Sequence, residues 1–170
     1  MTDWCHYFAY GSNLLPARLR ARTPSARLVG TGRLDGYRMA FDHVSRTDGS
    51  AKCGIAPARG SVVHGAVFVL PVAERPALDR AEDLGTGYDR LVLPIRVDAA
   101  EQPCDCYIPL PGTLDPGARP FRWYRDIVLA GARWHAFPDA LQRTIAAEPV
   151  QEDPDPERTR HHQAIIDAAG

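Results

Sequence analysis

From Arg27 to Leu110 the sequence is a succession of β-type runs with one short helix among them, and that order leaves few architectures open. The runs Arg27–Leu34, Tyr37–Asp42, Gly54–Ala58 and Val62–Leu70 come first. The last of them is apolar and β-branched over most of its length, as a buried strand requires. A helix is predicted over Arg75–Asp83, begun by Pro76 and ended by Gly85. Two strands then follow: an alternating run through Leu91, Leu93, Ile95 and Val97, in which Pro94 marks an edge or a bulge, and Pro103–Leu110. An opening strand His6–Ala9 precedes a short helix over Leu14–Arg22, with Ser12 or Asn13 as its cap and Pro16 in its first turn. Later helices are expected on the stripe Trp123, Ile127, Ala130 and Trp134, and from Pro138 through Leu141 and Ile145. Strands in series with irregularly placed helices point to an α+β fold, a small mixed sheet or barrel-like core with flanking helices, and not to a doubly wound parallel sheet.

His43–Lys52 is polar, holds Gly49 and reads as a mobile loop. Val150–Arg160 is charged and broken by proline and reads as a linker before a last short helix with Ile165 and Ile166. The expected division is therefore one domain over residues 1–150 and a charged linker with a short helix over 151–170. A hydrophobic content of 45% in 170 residues is enough to bury a core. The formal net charge of -1, with the arginines dispersed and Lys52 the only lysine, argues against nucleic acid or an anionic membrane as a partner. No stretch is long and apolar enough to span a bilayer, and Asp3 and His6 interrupt any signal-peptide pattern, so a cytoplasmic location is expected. Cys5, Cys53, Cys104 and Cys106 read as free thiols. Cys104, Cys106 and Ile108 share one strand face as small core residues, without the paired spacing of a zinc site.

Two segments carry chemistry. In Tyr7-Phe8-Ala9-Tyr10-Gly11-Ser12-Asn13-Leu14 a strand ends in a glycine turn that opens a helix, a geometry that presents backbone N–H groups to an anion or a developing oxyanion. An ordinary strand-to-helix turn has the same pattern, and the spacings of phosphate and dinucleotide loops are missing. In Leu78-Asp79-Arg80-Ala81-Glu82-Asp83, Leu78 and Glu82 share a helix face, which leaves Asp79, Arg80 and Asp83 free to point to solvent. Glu82 thus lies beside an apolar anchor, where an unpaired carboxylate is costly and a general acid/base has its use. A glutamate at the flank of a short helix that reaches into water fits the same pattern. The six histidines form no nucleophile–base pair, and Tyr88, after Gly85-Thr86-Gly87, belongs to the core or reaches a ligand.

The first segment resembles the opening of the γ-glutamylcyclotransferase family, with its Tyr-Gly-Ser-Asn loop. The likeness continues in order through Pro24-Ser25-Ala26, Arg33-Leu34, Gly54-Ile55-Ala56 and Val63-His64-Gly65-Ala66-Val67. It then takes in Leu78-Asp79-x-x-Glu82 with Gly87-Tyr88, Tyr107, Pro120, Tyr124, Ile127, Gly131-Ala132, Pro138 and Ala147-Glu148-Pro149. An ordered set of this length is specific where each motif alone is weak. The resemblance implies a barrel-like sheet and a pocket where the loop meets Glu82. It implies Glu82 as the catalytic acid/base and Tyr10, Gly11, Ser12, Asn13, Leu14, Tyr88 and Tyr124 as substrate-binding residues, with no metal or organic cofactor. The implied reaction is attack of a substrate's α-amine on its own γ-glutamyl carbonyl, releasing 5-oxoproline and a free amine. The same chemistry on a γ-glutamyl-protected intermediate of natural-product synthesis, or a non-catalytic binding module of the same fold, are the alternatives. The expected partner is a small-molecule γ-glutamyl substrate, with a homodimer left open. The chain departs from the family in having Asp83 where glycine is typical and in a shorter connection from Glu82 to Tyr88. Ala136-Phe137-Pro138 stands in place of Gly-Leu-Pro and Phe121 in place of serine.

Overall fold

The computed structural model describes residues 2–169. Five strands close into a barrel: β1 (Trp4–Ala9), β2 (Arg27–Val44), β3 (Ala51–Pro71), β4 (Tyr88–Val97) and β5 (Ala100–Pro109). The order around it is β1-β3-β2-β4-β5, and β1 meets β5 in parallel at Tyr7 and Asp105. The other four neighbouring pairs are antiparallel. Closure removes the free edges of the sheet and turns one face of every strand inward. Phe8, Leu34, Val63, Val67, Ile95, Cys104 and Cys106 are buried there, while Phe68 and Leu70 are buried on the opposite face of β3. This is the α+β barrel core expected from the order of runs, and all four cysteines are free.

The two pairs of runs on either side of residue 45 are two long strands rather than four short ones. β2 and β3 pair from Arg27↔Val69 out to Val44↔Ala51, with register shifts that include one between Asp35↔Val62 and Tyr37↔Pro57. Gly36 (φ 77°) and Gly60 (φ 80°) lie at that shift in the left-handed region glycine adopts without strain, and the ribbon changes direction there. The outer ribbon brings its tip back over one end of the barrel. That tip is the segment expected as a mobile loop, and it is a paired hairpin end instead. His43 pairs with Lys52, and the Ser45 N–H donates to Ser50 O at 3.0 Å. Its polar side chains satisfy one another, with Asp48 accepting from Ser50 Oγ (2.9 Å) and Lys52 Nζ (2.8 Å).

The helices are α1 (Pro16–Arg20), α2 (Arg75–Ala81), α3 (Arg122–Trp134), α4 (Asp139–Ala146) and α5 (Pro156–Asp167). α3 buries Trp123, Tyr124, Ile127, Val128, Gly131 and Ala132, a stripe of the 3.6-residue period. Trp134, expected on that stripe, is 49% exposed, because the buried face drifts past it by the last turn. α5 begins inside the stretch expected as a linker. Asp155 caps it by accepting from the N–H groups of Glu157 and Arg158. Asp153, just before it, accepts from Trp123 Nε1 (2.7 Å) and Arg158 Nε (2.6 Å), which fastens the C-terminal segment to α3. The charges read as a linker signal are thus paired in place. Among the described residues no helix is long and apolar enough to cross a membrane.

Candidate active site

β1 delivers Tyr7 to the end of the barrel, and the chain then turns through Tyr10 and Gly11 into a single 3-10 turn, Ser12–Leu14. The turn is closed by Leu14 N–H to Gly11 O (3.0 Å) and Leu15 N–H to Ser12 O (3.3 Å). Among the described residues, the N–H groups of Gly11, Ser12 and Asn13 have no protein acceptor. Ser12 and Asn13 are buried and line the cavity described below, where a bound acceptor would satisfy such donors. Neither side chain caps α1, whose N-cap is Leu15. Asn13 instead donates from Nδ2 to Tyr7 Oη (2.9 Å) and to Glu82 Oε1 (3.0 Å).

Glu82 arrives from the opposite side. α2 ends at Ala81, two residues short of the expected Asp83, and Glu82 is its C-cap, its N–H donating to Leu78 O at 3.0 Å. Asp83 follows with φ 47°, a left-handed conformation in which glycine carries no penalty and Asp is tolerated. The conformation accounts for glycine as the family's usual residue there. The next residues fold back tightly, with Gly87 N–H on Asp83 O at 2.7 Å. The Glu82 carboxylate is 16% exposed and is not unpaired, as the sequence reading supposed. Arg22 Nη1 lies 3.0 Å from Oε1 and donates also to Asn13 Oδ1 at 3.0 Å. Nothing in the periodicity marks Arg22, which lies just beyond α1 and meets Glu82 across 60 residues of chain.

A small cavity is lined by Tyr7, Tyr10, Gly11, Ser12, Asn13, Cys53, Glu82, Tyr88, Tyr107 and Tyr124. It gathers every expected site residue except Leu14, whose side chain is fully buried and faces the neighbouring cavity instead. Tyr7, Cys53 and Tyr107 are the members the sequence reading gave no role. The phenols are fixed: Tyr10 donates to Tyr107 O (2.5 Å), Tyr88 to Cys53 O (2.7 Å), and Tyr124 accepts from the Cys53 N–H (3.0 Å). Burial holds all five tyrosines well above the usual phenol range and raises the Cys53 thiol likewise. These groups are therefore neutral at neutral pH, and Glu82 is the one carboxylate lining the cavity. A larger cavity of about 570 Å³ lies at the bend of the ribbon, against α4. It shares Tyr10 with this site but does not reach Glu82.

Asp79 does not face solvent. Its carboxylate accepts from Tyr107 Oη (2.6 Å) and from Arg90 Nη1 (2.5 and 2.7 Å), which ties α2 to β4 and β5 one turn before Glu82. Asp79→Asn is expected to lower kcat several-fold and stability by roughly 1–3 kcal/mol, because one half-buried charged acceptor is lost one turn before Glu82. A variant with wild-type kcat and wild-type melting temperature would show that the tie does not position Glu82.

The closed barrel holds one carboxylate against a loop of N–H groups without protein acceptors, a pocket of the kind small enzymes use. The family described as "Gamma-glutamyl cyclotransferase, AIG2-like" matches residues 7–127. A human protein named gamma-glutamylcyclotransferase is 29% identical over 148 residues, covering 83% of this chain and 77% of that protein. The Bos taurus protein of the same name is 28% identical, covering 82% and 76%. A solved structure titled gamma-glutamyl cyclotransferase superposes with a TM-score of 0.84 at 24% identity, over 98% of this chain and 99% of that one. The crystal structure of an uncharacterized Homo sapiens protein gives 0.85 at 26%, over 97% and 99%. The chain belongs to the gamma-glutamyl cyclotransferase, AIG2-like family.

Proposed function

We propose that the chain is a γ-glutamyl cyclotransferase in which Glu82 carries both proton transfers. The observation that carries this reading is the placement of the Glu82 carboxylate 3.0 Å from Asn13, on the same loop that offers the N–H groups of Gly11, Ser12 and Asn13. Glu82 takes a proton from the substrate's α-ammonium. The freed amine attacks the γ-carbonyl carbon of the same molecule, forming the ring C–N bond. Negative charge moves to the carbonyl oxygen, where the loop N–H donors meet it. As the tetrahedral centre collapses the original amide C–N bond breaks, and protonated Glu82 returns its proton to the leaving amine. The products are 5-oxoproline and a free amine. Ring closure is intramolecular, so holding the substrate bent supplies much of the rate. Tyr10, Tyr88 and Tyr124 supply the walls and the fixed dipoles of the cavity, and their phenols hold no proton that neutral pH would move. The four free thiols suit a reducing cytoplasm.

The test is a panel of γ-linked and α-linked glutamyl compounds assayed for 5-oxoproline. In an α-linked compound the amine and the carbonyl flank one carbon, so a five-membered ring cannot form from that pair. Release from γ-linked members alone is expected. Equal turnover of both linkages would refute the mechanism, and turnover of neither would leave a binding module in its place.

A further inference from the structure

A second cavity, of about 80 Å³, shares Ser12, Glu82, Tyr88 and Tyr124 with the first and continues outward from Glu82. Arg18, Arg22 and Lys52 bring three cations to it. Two are neutralised, Arg22 by Glu82 and Lys52 by Asp48 at 2.8 Å. Among the described residues no carboxylate lies within 4 Å of Arg18. Its guanidinium is held by neutral acceptors, Nε to Ser12 Oγ (3.4 Å) and Nη1 to His162 Nδ1 (3.0 Å). Burial, and then the charge of Arg22, bring its pKa down to about 10, so it keeps its proton at neutral pH without a counter-ion. Asp83 also lines this cavity, next in chain to Glu82. A half-buried cation without an anion costs stability unless a ligand supplies one.

His162 comes from α5, beyond the residues the family matches. Its ring stacks on Trp123 with centroids 3.7 Å apart and planes 18° from parallel. Because Arg18 is the donor, Nδ1 must be the bare nitrogen, and burial beside Arg18 lowers the pKa of the ring to about 3. A neutral, stacked imidazole therefore fixes the direction of the guanidinium without cancelling its charge.

Resting on the cyclotransferase reading, we infer that Arg18 is a specificity-determining residue that receives an anionic group on the leaving amine, and that His162 is its positioning residue. Of the three cations around this cavity, Arg18 is the one without a carboxylate partner, and it contacts Ser12 on the loop directly. The C-terminal helix is then part of the substrate site.

The experiment compares γ-glutamylalanine with γ-glutamylalaninamide, which differ in one negative charge on the leaving half. The wild type is expected to favour the acid at least ten-fold in kcat/KM. Arg18→Gln should lose at least ten-fold on the acid, mainly in KM, and less than three-fold on the amide, whose turnover also reports correct folding. His162→Ala should show the same split in weaker form, and His162→Asn, which retains an acceptor, should recover part of it. Equal kcat/KM for the two substrates in the wild type overturns the subsite alone. So does an Arg18→Gln loss that falls equally on both, since the charge would then serve the glutamyl carboxylate or the fold. A wild type that turns over neither compound refutes the cyclotransferase reading and the subsite with it.

Discussion

Glu82→Gln is expected to lower kcat by roughly two to four orders of magnitude, the range of a deleted acid/base group. Glutamine keeps the shape and can still accept from Asn13 Nδ2 and Arg22 Nη1, both 3.0 Å from Oε1 in the parent. What it loses is the proton site and the charge. Substrate affinity should change little, because the N–H donors of Gly11, Ser12 and Asn13 belong to the backbone. The expected effect on stability follows from the pairing with Arg22. A desolvated, unpaired carboxylate would have made its removal stabilising, whereas here it leaves a guanidinium without its counter-charge. Arg22 is 22% exposed and keeps its bond to Asn13 Oδ1, so the loss should stay within about 1 kcal/mol, or a fall in Tm of about 2–4 °C for a chain of this size. Glu82→Gln at near-normal kcat would mean that another group moves the proton, and the neutral tyrosines and Cys53 leave no obvious candidate.

The meeting of Glu82 with the Tyr10–Asn13 loop was legible because each half is local. A glycine turn after a β-run and a glutamate one turn from an apolar anchor are both visible within a few residues, and the ordered resemblance linked them. Arg22, Tyr7, Cys53 and Tyr107 were not, because each reaches the site through barrel closure. Tyr7 meets Phe68 on one side and Asp105 on the other, and Cys53 arrives only because the β2–β3 ribbon bends near Gly36 and Gly60. Helical spacing likewise set Asp79 toward solvent. One turn of helix cannot show that Arg90 and Tyr107, from neighbouring strands, converge on that face. The charged stretch before α5 was misread for a related reason. Composition counts charges, and it does not show that Asp153 and Arg158 pair with each other under Trp123.

Gly131→Ala is expected to be strongly destabilising although it places alanine in the last turns of a helix. On α3 as an isolated helix the change would favour the helical state by about 1 kcal/mol. In the folded chain a Cβ at position 131 would lie 2.5 Å from Leu14 Cβ and 2.8 Å from the Leu15 backbone nitrogen. These are not the ends of flexible side chains. Leu14 and Leu15 are each 1% exposed, and His135, one turn on, holds the Leu14 carbonyl at 2.8 Å through Nε2. α3 must therefore move away from the turn or the turn must yield, at a cost of about 1–3 kcal/mol for overpacking, which the helical gain offsets only in part. The turn is the one that presents Gly11, Ser12 and Asn13, so the displacement reaches the donors as well as the core. A fall in Tm of several degrees is expected together with a loss of kcat/KM that exceeds the loss of folded protein at the assay temperature. Gly112→Ala is the control, since a Cβ there meets nothing within 4 Å. A Gly131→Ala protein as stable and as active as the Gly112→Ala control would show that the close approach of α3 to Leu14 does not hold the loop in place.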